Sequence, residues 1–65
     1  MKLTVNGESR DVAAQTVLQL LEELGLESGR TVVEKNAVIV ERALYPDTIL
    51  AEGDVLELVR IVGGG

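Results

Sequence analysis

Sixty-five residues with 46% hydrophobic content allow one small domain, and its core must draw on most of the apolar side chains. The sequence holds no Cys, His, Trp or Phe, which excludes disulfides, thiol nucleophiles, imidazole acid–base chemistry and Cys/His metal sites together. Eleven Asp and Glu against six Lys and Arg give a formal net charge of -5, which opposes binding to phosphate backbones and anionic lipid, so neither nucleic acid nor membrane is expected as a partner.

The first stretch, Lys2-Leu3-Thr4-Val5, alternates polar and apolar residues and runs into Asn6-Gly7, the dipeptide best suited to the positive φ angles of a tight hairpin. The returning strand is predicted over Ser9-Arg10-Asp11-Val12-Ala13, with a weakly specified register. Thr16-Val17-Leu18-Gln19 matches a capping box and predicts a helix start at Thr16 or Val17. Val17, Leu20, Leu21 and Leu24 then form one apolar stripe, and Gly25 is placed to end the helix in a left-handed conformation after about nine residues. So short a helix must be held by packing, because isolated helices below ~12–15 residues are marginal. Glu22, Glu23 and Glu27 read as its solvated face.

Thr31-Val32-Val33-Glu34-Lys35 reads as a strand, Asn36-Ala37 as a looser turn and Val38-Ile39-Val40 as a short partner strand. Ala37-Val38-Ile39-Val40 is also the longest aliphatic run, far short of the ~20 residues that cross a bilayer, and Lys2-Leu3-Thr4-Val5 does not open a signal peptide, so a soluble cytoplasmic chain is expected. Ala43-Leu44-Tyr45-Pro46-Asp47 predicts a turn or irregular helix in which Pro46 biases Tyr45 away from helical angles. Tyr45, the only aromatic residue, is expected to pack or hydrogen-bond locally. Glu52-Gly53-Asp54 is a further turn, with too few acids for a metal site. The last strand, Val55 to Val62, leads into Gly63-Gly64-Gly65, predicted as a flexible tail.

The order strand, strand, helix, strand, short strand, strand specifies an α+β roll, because a right-handed crossover can lay the final strand parallel to the first with the helix over one face of a mixed sheet. Leu3, Val5, Val17, Leu20, Leu21, Leu24, Val33, Leu50, Leu56 and Leu58 are the predicted core. If glycine occurs at about 7%, three terminal glycines arise by chance in roughly three chains per ten thousand. A frayed end or a cloning remnant is the plain reading. The functional one is that glycine, lacking Cβ, lets an extended arm enter a narrow cleft and present its carboxylate there. A free α-carboxyl, with pKa about 3.3–3.7, is ionised at neutral pH and donates its acyl group poorly until activated. Adenylation by ATP would supply that activation, and a sulfur nucleophile could then displace AMP to leave a thiocarboxylate.

The acidic chain with its N-terminal hairpin, the helix Thr16-Val17-Leu18-Gln19-Leu20-Leu21, the Glu52-Gly53-Asp54 turn, the strand Val55-Leu56-Glu57-Leu58-Val59-Arg60-Ile61-Val62 and the terminal glycines together resemble the ThiS-type sulfur carriers of thiamin biosynthesis. The resemblance covers essentially the whole chain. It implies the ubiquitin-like β-grasp fold, about five strands on one main helix, with residues 1–62 as the domain and 63–65 as the tail. It also implies a protein co-substrate without enzymatic activity or bound cofactor. Gly65 would carry the acyl-adenylate and thiocarboxylate, with Gly64 and Gly63 extending the arm. The implied partners are an E1-like adenylyltransferase (ThiF type) that uses ATP, a sulfur relay from a cysteine desulfurase, and a thiazole synthase (ThiG type). Carriers for molybdopterin, cysteine or tRNA thiolation share the Gly-Gly ending, and a noncovalent β-grasp interaction module is the alternative from another class. Val59 and Ile61, off the core face, together with Val62 beside the tail, are candidates for partner docking; ordinary exposed aliphatics are the plainer reading.

Overall fold

A computed structural model describes residues 1–62, and Gly63, Gly64 and Gly65 lie outside the described residues. Strands β1 (Lys2–Val5) and β2 (Glu8–Asp11) pair antiparallel from Val5↔Glu8 to Lys2↔Asp11. The two residues between them, Asn6 and Gly7, have φ of 49° and 82°, as a type I′ turn requires. This turn fixes the register, and it starts β2 one residue earlier and ends it two residues earlier than the sequence predicts. Val12 still donates its amide to Met1 O, after which β1 has no residue left to pair with. Val12 and Ala14 then turn inward and are buried.

Helix α1 (Val17–Glu23) is seven residues long. Thr16 Oγ1 accepts from Gln19 N at 3.2 Å, while Gln19 Oε1 accepts from Gln15 N at 2.9 Å, one residue ahead of the cap. Gly25, at φ 73°, ends the helix with Leu26 N donating to Leu21 O and Gly25 N to Glu22 O, the two bonds of a Schellman motif. Leu24 is thereby the cap residue and only partly buried, in contrast to its predicted place in the core. Glu23 stays exposed, as the solvated face assigned to it requires, but its carboxylate is engaged there. Its Oε1 accepts from Ala13 N at 3.0 Å and Ala14 N at 2.9 Å, tying the strand-to-helix connection to the end of α1.

A 3₁₀ turn (Ser28–Arg30) leads into β3 (Thr31–Lys35), which turns through Asn36 and Ala37 into β4 (Val38–Val40). Those two residues have φ of 53° and 69°, so this turn is as tight as the first, with Ala37 in a conformation that costs an alanine ~1–2 kcal/mol. A second 3₁₀ turn (Arg42–Leu44) ends at Tyr45, whose φ of -53° and ψ of -44° are helical despite the following proline. Tertiary contacts override the local bias: the Tyr45 hydroxyl donates to Thr31 O at 2.6 Å, its carbonyl accepts from Leu18 N, and its side chain is buried. The hydrogen bond expected to be local thus reaches β3.

Strand β5 (Val55–Arg60) completes a five-stranded sheet of order β2-β1-β5-β3-β4, parallel between β1 and β5 and antiparallel elsewhere. It stops two residues short of the predicted Val62, because Arg60 pairs with Thr31, the first residue of β3. The core comprises every predicted residue except Leu24, and adds Val12, Ala14 and Tyr45.

Candidate functional site

Strand β5 sits in the middle of the sheet and carries the chain toward its C-terminus. On one side it pairs with β3 over five residues, from Lys35↔Leu56 to Thr31↔Arg60. On the other, β1 is too short to follow it, and the Asn6 side chain takes over the pairing. Asn6 Oδ1 accepts from Leu58 N at 2.8 Å and its Nδ2 donates to Leu58 O at 3.3 Å, so a turn side chain stands in for a strand's peptide group. Asn36 grips the strand's start, where its side-chain Oδ1 accepts from Val55 N at 2.9 Å and its backbone N donates to Val55 O at 2.8 Å. Both asparagines occupy left-handed turn positions that also aim their amides at β5. The strand is therefore held on both edges.

Asp54 completes the clamp at the entrance. Its Oδ1 accepts from Asn36 Nδ2 at 3.0 Å, its Oδ2 accepts from Ala51 N at 2.8 Å, and Lys35 Nζ stands 3.8 Å away. Burial alone would push this carboxyl up, but the bonds from Asn36 and Ala51 and the Lys35 charge outweigh it and hold Asp54 below the ordinary 3.8. A depressed native value means that the carboxylate stabilises the fold above the unfolded pKa and loses that contribution as pH falls through the native one. The urea midpoint of the wild-type chain is therefore expected to drop on acidification below 3.8 by more than that of Asp54→Asn. Parallel pH profiles for the two proteins would show that Asp54 contributes nothing through its charge.

Along β5, Leu56 and Leu58 face the helix, whereas Val55, Glu57 and Val59 face outward. Of the predicted docking residues, Val59 is 58% exposed, Ile61 48% and Val62 74%. Val59 lies opposite Val32 of β3, and Glu57 lies opposite Glu34, whose other neighbour is the exposed Ile39 of β4. The outer sheet face thus sets Val59 beside Val32 in one row and Ile39 beside Glu34 and Glu57 in the next, and the sequence marks neither Val32 nor Ile39 for docking. Alternation shows which residues of one strand share a face, but cross-strand register decides which strands meet there. Ile61 N donates to Arg30 O at 2.8 Å, which places Val62 at the head of the predicted Gly63-Gly64-Gly65 arm.

Elsewhere, an open groove of about 400 Å³ lies between the end of α1 and the first hairpin, lined by Leu24, Leu26 and Leu58 with Glu8, Arg10 and Glu23. Glu23 is already committed to the Ala13 and Ala14 amides. Among the described residues, no three acidic side chains group in a way that could hold a metal ion, and no helix is long and apolar enough to cross a membrane.

The ThiS family model matches residues 3–65. The chain belongs to the ThiS family. It is 36% identical to the sulfur carrier protein ThiS of Thermus thermophilus, over 94% of this chain and 95% of that protein. It superposes on the crystal structure of the thiamine biosynthesis protein ThiS from Geobacter metallireducens with a TM-score of 0.85, at 33% identity and over 100% of both chains. The ThiS fold, the ubiquitin-like β-grasp, is thus the fold of this chain, and the strand order above is its expression here. The whole chain is also 46% identical to part of a thiazole synthase of Paramagnetospirillum magneticum, of which it spans 20%. A thiazole synthase of Magnetococcus marinus matches at 39%, again over 20% of its length. The chain therefore spans about a fifth of these two relatives, so a ThiS-like segment occurs within longer proteins of that name.

Proposed function

We propose that this chain is the sulfur carrier for thiazole formation in thiamin biosynthesis, with the C-terminal carboxylate of Gly65 as its reactive group. The observation that carries this reading is the central strand β5, fixed on both edges, leading into three residues without side chains. A strand held on both edges fixes the position from which the glycines follow in sequence, and residues without a Cβ can enter a cleft that a Cβ would block. Membership of the ThiS family and the likeness to two thiazole synthases support the assignment to this pathway.

The cycle begins in an E1-like adenylyltransferase of ThiF type, where a Gly65 carboxylate oxygen attacks the α-phosphorus of ATP and pyrophosphate leaves. Hydrosulfide, to which a thiol reductant brings the persulfide sulfur of a cysteine desulfurase relay, then attacks the acyl carbon and displaces AMP, leaving the thiocarboxylate. A thiazole synthase of ThiG type takes the sulfur. The chain is a co-substrate throughout, binds no cofactor of its own, and works in the cytoplasm. ATP is consumed in the partner's site.

Val59, Ile61 and Val62 dock the partner beside the arm, since their exposed apolar area is available for burial there. The test is intact-mass spectrometry after incubation with the adenylyltransferase, ATP and hydrosulfide. The wild-type chain is expected to gain the mass difference of one oxygen replaced by one sulfur. Val59→Asp and Ile61→Asp are expected to slow that gain at least about tenfold, since each places a charge in an apolar contact. A wild-type chain that forms neither adenylate nor thiocarboxylate would leave a noncovalent interaction module as the function. Unchanged kinetics in folded Asp variants would remove the docking patch alone.

A further inference from the structure

Charge is unevenly placed on this acidic chain. Of the six cationic side chains, Arg30, Arg42 and Arg60 gather where β5 leaves the sheet. Arg60 pairs with Thr31, the residue after Arg30, and the Arg30 carbonyl accepts from Ile61 N at 2.8 Å. Arg42 Nε donates to Ser28 O at 3.0 Å, which fixes the second 3₁₀ turn against the first. All three arginines are exposed. The carboxylates on the two 3₁₀ turns and their caps are Glu27 and Glu41, leaving three cations and nine carboxylates for the rest of the chain. Glu27 lies 3.6 Å from Arg30 Nε, but with both side chains more than 60% exposed such a pair is weak and readily exchanged for another anion.

The end that presents the arm is therefore the least negative part of a molecule whose remaining surface is strongly negative. Such a layout orients an approaching protein, because a partner surface of negative charge attracts this end and repels the others. Building on the carrier reading above, we propose that Arg30, Arg42 and Arg60 form a cationic collar that docks on an acidic rim around the adenylating enzyme's tail channel, so that the chain approaches tail first. Arginine suits the role, since its planar guanidinium meets carboxylates in a two-pronged fashion. The collar acts beside the apolar residues Val59, Ile61 and Val62, which supply contact area without direction.

Two double variants that remove the same charge from different places test this. Arg30→Gln/Arg60→Gln strips the collar, and Lys2→Gln/Arg10→Gln strips β1 and β2. All four positions are exposed, where substitutions usually leave stability almost unchanged, and thermal midpoints check that the fold is kept. Binding to the adenylating enzyme is measured by titration calorimetry and turnover by initial rates. The collar variant is expected to bind about tenfold more weakly at low salt, with the deficit shrinking as salt screens the contact, and with kcat unchanged at saturation. The Lys2/Arg10 variant should stay within about twofold of wild type, and Arg30→Lys/Arg60→Lys should retain most of the binding. Equal losses from both Gln pairs would show that net charge alone matters, and no loss from either would show an idle collar; each overturns the proposal. Saturable binding of ATP to the isolated chain, abolished in the collar variant, would also overturn it by giving the arginines a different occupant. A wild-type chain that the enzyme neither binds nor adenylates defeats the carrier reading itself, whereas an adenylated wild type with indistinguishable Gln pairs defeats only the collar.

Discussion

Replacing Leu56 by Ala is expected to unfold most of the chain at 25 °C. Leu56 is fully buried on the central strand, paired with Val5 of β1 on one side and Lys35 of β3 on the other, and its carbonyl accepts from Asn6 N. A Leu→Ala change at a fully buried site removes the transfer energy of the lost carbons and leaves a cavity, a loss of about 3–5 kcal/mol. A core below about 70–80 residues rarely supplies more than ~3–5 kcal/mol in total, so the variant has little stability left. Val59→Ala on the same strand is expected to change stability by no more than about 0.5 kcal/mol, because Val59 faces outward and is 58% exposed. Urea unfolding followed by circular dichroism compares the two. A Leu56→Ala midpoint close to wild type, or a Val59→Ala loss as large as that of Leu56→Ala, would contradict the assigned faces of β5.

This contrast between neighbouring residues also shows what the chain discloses before its structure is known. Short-range chemistry is legible. Asn6-Gly7 encodes a turn because it tolerates positive φ, Thr16 and Gln19 encode a helix start because their side chains satisfy free amides, and Gly25 encodes the stop. Alternation along β5 separates Leu56 and Leu58 from Val59 and marks the latter as a docking candidate. Groups whose partners lie far along the chain stay hidden. Asn6 looks like a turn residue until β5 arrives beside it, and Glu23 looks like a surface acid until Ala13 and Ala14 present their amides. Tyr45 takes helical angles that its neighbour Pro46 disfavours, because a buried hydroxyl bond to Thr31 and a carbonyl bond to Leu18 outweigh the local preference. The arginine cluster is hidden for the same reason, as Arg30, Arg42 and Arg60 stand twelve and eighteen positions apart and meet only through β3 and the two 3₁₀ turns.

Adding one residue after Gly65 is expected to abolish sulfur loading while leaving the fold untouched. In the proposed cycle the only reacting group on this chain is the terminal carboxylate, and an appended Ala converts it into a peptide carbonyl with no oxygen able to attack the α-phosphorus of ATP. The new terminus cannot substitute, since its carboxylate lies one residue, or about 3.3–3.6 Å, farther along and carries a Cβ where the arm otherwise has none. Stability should be unchanged, because the described core and the described ladders of the sheet lie within residues 1–62. Thiocarboxylate formation is read by intact mass, binding to the adenylyltransferase by calorimetry, and stability by urea unfolding. The extended chain should still bind, because Val59, Ile61 and the arginines around Arg60 are intact, and should then act as a competitive inhibitor of the wild-type chain. Loss of loading with binding retained separates arm chemistry from docking. Full loading of the extended chain would show that the terminal carboxylate need not belong to Gly65, and the role of Gly65 as the reacting residue would have to be abandoned.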